Sequence, residues 1–289
     1  MIVTDSMKSD SMKSESIRSA AKAPAVPRAF VPTMGALHEG HRTLMREARA
    51  LVGPEGEVVV SVFVNPTQFG HNEDFDRYPR TLEADSRACA EEGVDVLYAP
   101  TVHEVYGDHP DITVQPGPLG SELEGSARSG HFAGVLTVVS ILLHQVAPNF
   151  ALFGEKDYQQ LELISRMCRD LAFPVTVVGV PTVRENDGLA LSSRNAYLSA
   201  SARKQAAAIP RALAAGAARS DRGVNQIRDA ALAELESAGL EIDYVEVRSP
   251  DLGPAPEEGP ARLLIAVKAE TTRLIDNCAL HIGPVKEAP

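Results

Sequence analysis

From Phe30 to about Val180, short apolar runs alternate with segments of helical periodicity. Val58–Val64 (VVVSVFV), Val94–Tyr98, Phe150–Phe153 and Pro174–Val180 are short, rich in β-branched or aromatic residues, and bounded by Gly, Pro or Asn. They read as strands. Between them, His41–Arg49, Thr81–Glu92, Gly134–Val146 and Asp157–Leu171 predict helices. The last places Leu161, Ile164, Cys168 and Leu171 at three- and four-residue spacing, which predicts a core-facing stripe. Nearly continuous apolar strands alternating with helices predict an α/β fold: a doubly wound parallel sheet covered on both faces.

After Val183 the pattern changes. Ser199–Arg219 and Val224–Ala238 are Ala-rich helical segments, the first interrupted at Pro210, and two strands follow at Glu241–Arg248 and Arg262–Lys268. The predicted organisation is a poorly ordered extension over 1–25, a Rossmann-like domain over 26–183 and a smaller C-terminal α+β domain over 184–289. The extension contains a direct repeat, DSMKS at Asp5–Ser9 and Asp10–Ser14, whose residues bury too little apolar area to offset their ordering entropy.

Composition narrows the function classes. With 28 basic and 39 acidic residues, the formal charge of −11 argues against nucleic acid and anionic lipid as partners. An anionic substrate must then find a locally basic pocket in an acidic protein. Cys89, Cys168 and Cys278 are odd in number and widely spaced, which excludes a disulfide framework or a cysteine zinc site and fits the reducing cytoplasm. The longest apolar run, near Val135–Leu143, is far short of the ~20 residues of a membrane helix, so a membrane location is not expected.

The chemistry concentrates where strand gives way to helix. Pro32-Thr33-Met34-Gly35-Ala36-Leu37-His38-Glu39-Gly40-His41 brings two glycines that admit close backbone approach. His38 and His41, three apart, fall on one face at a helix start, where free N–H groups and the dipole favour phosphate. Other readings of the pair are a metal site, which lacks a spaced third ligand, a helix cap, or a solvated turn. Further along, Asn65-Pro66-Thr67-Gln68-Phe69 follows the Val58–Val64 strand, and Gly154-Glu155-Lys156-Asp157-Tyr158-Gln159-Gln160 joins Phe153 to the next helix. Leu191-Ser192-Ser193-Arg194-Asn195 lies beyond the sheet, where hydroxyls and a guanidinium suit phosphate oxygens.

The ten-residue run resembles the HIGH signature of the nucleotidyltransferase superfamily, in the form found in the pantothenate synthetase family. NPTQF, YPRT (Tyr78–Thr81), SGHFAG (Ser129–Gly134), GEKDYQQ and LSSRN resemble that family in the same order, so the likeness spans Phe30 to Asn277. It implies an ATP- and Mg²⁺-dependent ligase that joins pantoate to β-alanine through a pantoyl-adenylate, releasing AMP and pyrophosphate. It also implies roles: Met34, Gly35, Ala36, Leu37, His38, Glu39, Gly40 and His41 bind ATP, with His38, His41, Lys156 and Arg194 as the catalytic set. Gly154, Glu155, Lys156, Asp157, Val183, Leu191, Ser192 and Ser193 complete the nucleotide site. Gln68, Gln160, Asn65, Met34, Phe69 and His131 face pantoate or β-alanine, and Asp85 is the candidate metal ligand. Relatives of this kind imply a homodimer, and imply imidazolium, Lys, Arg and Mg²⁺ as the charges that meet the phosphates. Another nucleotidyltransferase on the same fold, a nicotinamide-dependent oxidoreductase and an inactive nucleotide-binding module are the competing readings. No GxGxxG follows a strand, which counts against the oxidoreductase.

Overall fold

The computed structural model describes residues 25–70, 75–108 and 110–284, and the backbone alone at 2–5. Two compact units divide them. The first holds the chain up to Glu155 together with Leu163–Pro181, and the second holds Lys156–Glu162 together with the chain from Thr182 onward.

The first unit is built on β1 (Ile2–Asp5), β2 (Arg28–Thr33), β3 (Glu57–Val62), β4 (Val96–Ala99), β5 (Phe150–Gly154) and β6 (Thr176–Val180). Every pairing is parallel, in the order β1-β4-β3-β2-β5-β6. The chain steps outward from β2 through β3 to β4, then returns to β2's other side for β5 and β6. The order reverses between β2 and β5, and in open α/β sheets ligands bind beyond the carboxyl ends of strands at such a reversal. Helices α1 (Glu39–Val52), α2 (Leu82–Glu91), the short α3 (Val102–Tyr106) and α4 (Glu124–Ala127), α5 (His131–Val146) and α6 (Tyr158–Asp170) connect the strands.

Alternation explains the two-sided core. Ala29, Val31, Val58, Val60, Leu97 and Leu152 pack with Leu44, Met45, Ala48 and Val52 of α1. Phe30 and Val59, one position out of phase, are buried as well. Each fully buried side chain of the size of Met45 or Leu97 contributes on the order of 2 kcal/mol.

Two expectations are corrected in this unit. Residues 1–25 do not all form an extension, because the β-branched Ile2, Val3 and Thr4 lie in a strand registered on β4 from Val96 to Ala99. The DSMKS repeat from Ser6 onward lies outside the described residues. In α6 the buried apolar residues are Leu163, Ile164, Met167 and Cys168, whereas Leu171 falls one residue past the helix end and is 57% exposed. Ile164 and Cys168 of the predicted stripe are thus buried as expected, and Leu163 and Met167 complete the buried face.

The second unit carries α7 (Ala200–Ala206), α8 (Ala208–Ala217) and α9 (Val224–Ser237) on an antiparallel sheet of β7 (Glu241–Arg248), β8 (Gly259–Ala269) and β9 (Thr272–Ile282). Its core joins Ile209, Leu213, Ile227 and Leu235 to Leu263, Ile265 and Val267. The helix break falls at Ala207, not Pro210, which sits in the first turn of α8 where a missing N–H costs no helical bond. β9 was not anticipated, because Asp276 and Asn277 interrupt it with residues that strands disfavour. Both are buried and bonded: the Arg184 guanidinium meets the two Asp276 oxygens at 2.6 and 3.0 Å.

Candidate active site

The loop after β2 is held open by its neighbours. Gly35 and Ala36 both take positive φ, 87° and 52°, and a Cβ on Gly35 would lie 3.0 Å from both Asp85 Oδ2 and Val62 Cγ1. Asp85, only 2% exposed, receives the Leu37 N–H at 2.8 Å on Oδ1 and the Ala36 N–H at 3.2 Å on Oδ2. The Thr81 hydroxyl donates to the same Oδ2 at 3.2 Å. The candidate metal ligand thus braces the loop after β2, with both oxygens accepting hydrogen bonds from the chain.

His38 and His41 then cap α1 reciprocally. The Gly40 N–H donates to His38 Nδ1 at 3.1 Å, and the His38 N–H donates to His41 Nδ1 at 3.2 Å, a capping box made of two imidazoles. Their ring centroids are 4.1 Å apart. Because each Nδ1 accepts a backbone N–H, each neutral ring carries its proton on Nε2. The sequence leaves the charge of His41 in an ATP complex open, and these bonds fix only that Nδ1 of each ring is the acceptor. The cap and phosphate readings of the pair are therefore compatible: capping fixes the tautomer and leaves Nε2–H as the ring's donor. Gly40 leaves room for the His38 ring in this position, because a Cβ there would lie 2.9 Å from His38 Cε1.

At the carboxyl end of β3, Asn65 caps the 3₁₀ turn Pro66–Gln68. Its Oδ1 accepts the Thr67 N–H at 3.2 Å and the Tyr106 hydroxyl at 2.6 Å, while Nδ2 donates to Gln68 Oε1 at 3.0 Å and the Gly134 carbonyl at 3.3 Å. Gln68 Nε2 meets the Met34 sulfur at 3.2 Å, which brings two expected acid-binding residues together. Asn65 itself is 1% exposed. His131, expected to face substrate, is buried behind Gln68: Arg128 donates to its Nε2 at 2.8 Å, so Nδ1–H is the atom that donates to the Gln68 carbonyl at 2.9 Å. A Cβ on Gly134 would lie 2.4 Å from the Thr67 carbonyl oxygen, so α5 approaches this turn only through glycine. Phe69 stacks edge-on with Phe75 and Tyr78 at 5.3 and 5.8 Å.

The remaining expected residues belong largely to the second unit. Gly154 ends β5 and Glu155 opens the 3₁₀ turn that follows it, but Lys156, Asp157 and Gln160 go with the second unit, outside the domain predicted for them. Lys156 Nζ lies 3.6 Å from Asp157 Oδ1, and its carbonyl accepts Asn277 Nδ2 at 3.0 Å. Arg262 stacks at 3.6 Å over the Tyr158 ring and donates to Asn277 Oδ1. Gln159 is buried and Gln160 is half-buried. Val183 and Leu191 are joined by a 2.9 Å backbone bond flanking the Arg184–Ala190 bridge. Ser192 Oγ accepts the Arg194 N–H at 3.2 Å and so caps the turn Ser193–Tyr197. The sequence reading did not single out Tyr106, Arg128, Asn277 or Arg262; none sits in a motif, and each touches a motif residue.

Among the described residues, no group of three or more His, Cys, Asp or Glu is arranged to hold a metal ion, and no helix is long and apolar enough to cross a membrane. Burial pushes the thiols up, Cys89 to about 12 and Cys168 and Cys278 to about 11, so none is poised as a nucleophile.

Comparison with known proteins matches residues 6–279 to the family described as pantoate-beta-alanine ligase. The pantothenate synthetase of Mycolicibacterium smegmatis is 57% identical over 254 residues, 88% of this chain and 80% of that protein. That of Nocardia farcinica is 56% identical over 256 residues, with the same coverage. A crystal structure of the Thermus thermophilus pantothenate synthetase superposes with a TM-score of 0.88 at 45% identity, covering 96% of this chain and 99% of that one. A Francisella tularensis ligase solved with β,γ-ATP and β-alanine superposes at 0.78 with 33% identity, covering 96% and 97%.

Proposed function

Because the chain belongs to the pantoate–β-alanine ligase family, we propose roles for its residues in the reaction it catalyses, the ATP-dependent joining of pantoate to β-alanine. The observation that carries the proposal is the paired cap of His38 and His41 at the sheet's reversal point.

In this reading ATP lies along Met34–His41 with its phosphates at the start of α1. The Nε2–H groups of His38 and His41 donate to phosphate oxygens, and Lys156, Ser192, Ser193 and Arg194 are the further phosphate-binding groups that the family resemblance implies. Gly154–Asp157, Val183 and Leu191 hold the ribose and adenine. Gln68 and Gln160 fix pantoate, with Met34 and Phe69 against its methyl groups. The pantoate carboxylate attacks the α-phosphorus and pyrophosphate leaves. The β-alanine amine then attacks the acyl carbon of the pantoyl-adenylate, and AMP leaves with the bond electrons. Donors fixed in advance stabilise the charge that builds on the phosphates. The high thiol values support a free adenylate rather than an acyl-cysteine.

In the same reading Mg²⁺ would be held through the ATP phosphates and water, the usual mode for that ion. It supplies charge neutralisation when bound. The reading extends to a cytoplasmic homodimer, which light scattering on the purified protein would check.

The test mixes protein, ATP, Mg²⁺ and pantoate, with and without β-alanine, and follows AMP, pyrophosphate and pantothenate by mass spectrometry. Pyrophosphate without amine supports the adenylate. His38→Ala and His41→Ala each lower the adenylation rate by about a hundredfold. Normal adenylation in both folded variants would remove the histidines from the proposed site.

A further inference from the structure

We propose that Asn65 and Tyr106 are positioning residues that set which face of the Gln68 amide the acid substrate meets. The inference rests on the reading that Gln68 holds pantoate. The polarity is fixed by backbone groups, which cannot swap roles. Thr67 N–H can only donate, so the Asn65 atom beside it is oxygen. The Gly134 carbonyl can only accept, so the opposite Asn65 atom is nitrogen. That nitrogen also meets Gln68, which forces Gln68 to offer Oε1 to Asn65 and to turn Nε2 away from it. Nε2 is then the atom at Met34, with a thioether as its weak acceptor.

The consequence is a specificity rule. Gln68 meets ligand as an N–H donor, so it selects an acceptor oxygen, either a carboxylate or a hydroxyl lone pair. Tyr106 locks the upstream end of the relay: its hydroxyl donates to Asn65 Oδ1 at 2.6 Å, and burial raises its pKa above the ordinary phenol value, which keeps that proton in place. Asn65 is buried and acts through Gln68 rather than by contact.

Asn65→Asp keeps the shape and reverses one end of the relay. The substituted carboxylate repels Gln68 Oε1 and the Gly134 carbonyl, so the Gln68 amide rotates and presents Oε1 to the acid. By calorimetry, pantoate binding should weaken about fiftyfold, the range of one hydrogen bond to a charged group, while ATP binding stays within about twofold. Lowering the pH should restore pantoate binding, because the protonated carboxyl donates to Gln68 Oε1 again; a merely structural defect would not recover. Tyr106→Phe, which removes one atom, should raise the pantoate KM about tenfold with little change in kcat. It decides the question if Asn65→Asp does not fold. Gln68→Ala separates the two levels. If it leaves pantoate binding intact, the placement of pantoate at Gln68 falls and this inference with it. If it weakens binding while Tyr106→Phe and a folded Asn65→Asp do not, only the relay is overturned.

Discussion

Asp85 and Leu37 are joined by a 2.8 Å hydrogen bond that spans 48 positions of sequence and ties the start of α2 to the loop after β2. The carboxylate holds two consecutive N–H groups where Gly35 and Ala36 both run in the left-handed region. Ala36 in that region is a strained choice that neighbouring bonds must enforce. Asp85→Ala orphans both donors and should cost about 2 kcal/mol of stability. It should raise the ATP KM by more than the pantoate KM, measured in initial rates with each substrate varied. Equal changes in both would show that Asp85 supports the fold without shaping the loop after β2 for ATP.

Gly40 separates stability from activity. In the first turn of α1, alanine has the higher helix propensity, by up to about 1 kcal/mol in a helix interior. The added Cβ would nevertheless lie 2.9 Å from the His38 ring. Gly40→Ala should therefore leave the melting temperature unchanged or higher while turnover drops at least tenfold, the size of effect expected when a fixed donor is moved. Thermal unfolding and kcat measured on one preparation check it. A variant that is both stable and fully active would show that the His38 ring can shift without loss.

The two halves of the candidate site were unequally legible in the sequence. His38, Gly40 and His41 announce themselves because a cap, a close approach and a helix start are local, and local geometry is written in adjacent residues. Asp85 and Tyr106 were misread or missed because their partners lie 48 and 41 positions away, where spacing carries no signal. The parallel sheet was readable from its apolar strands. β9 was not, since Asp276 is tolerated there only through Arg184, a partner no periodicity reveals. Lys156 was placed with the first domain because it follows β5, yet its carbonyl is anchored to Asn277 in the second unit.

The thiols give a prediction with a definite sign. Burial raises Cys89 from an ordinary 9.0 to about 12, and Cys168 and Cys278 to about 11. The folded chain therefore holds these protons more tightly than the unfolded chain does. Their contribution to stability is fully present below pH ~9 and is lost as pH climbs through 11 to 12. Denaturant midpoints measured from pH 7 to 11 should fall only above ~9. Iodoacetamide at pH 8 should label the native protein slowly and the urea-unfolded protein quickly. Rapid labelling of native protein would mean that a thiol is open to solvent and available for acyl transfer.

Arg184 and Asp276 form the pair on which the Val183–Arg194 segment depends. Asp276 is 2% exposed, and both its oxygens face the guanidinium, which this contact pushes above the ordinary arginine value. Arg184 also donates to the Gly188 carbonyl at 3.0 Å, while Asn195 reaches back to Glu185 and the Ala190 carbonyl at 2.8 and 3.0 Å. The ion pair thus anchors the turn from which Ser192 and Arg194 project. Arg184→Ala leaves a buried carboxylate without its counter-charge, a loss of about 3 kcal/mol. Replacing both residues, with Arg184→Met and Asp276→Leu, removes the orphaned charge and should recover much of that stability. Activity should not recover in parallel, because the bonds of Arg184 to the turn are absent in both variants. Melting temperature and adenylation rate across the single and double variants test this directly. If the rate returns along with stability, the pair serves only to fill the β9 core, and the turn owes its position to Asn195 instead.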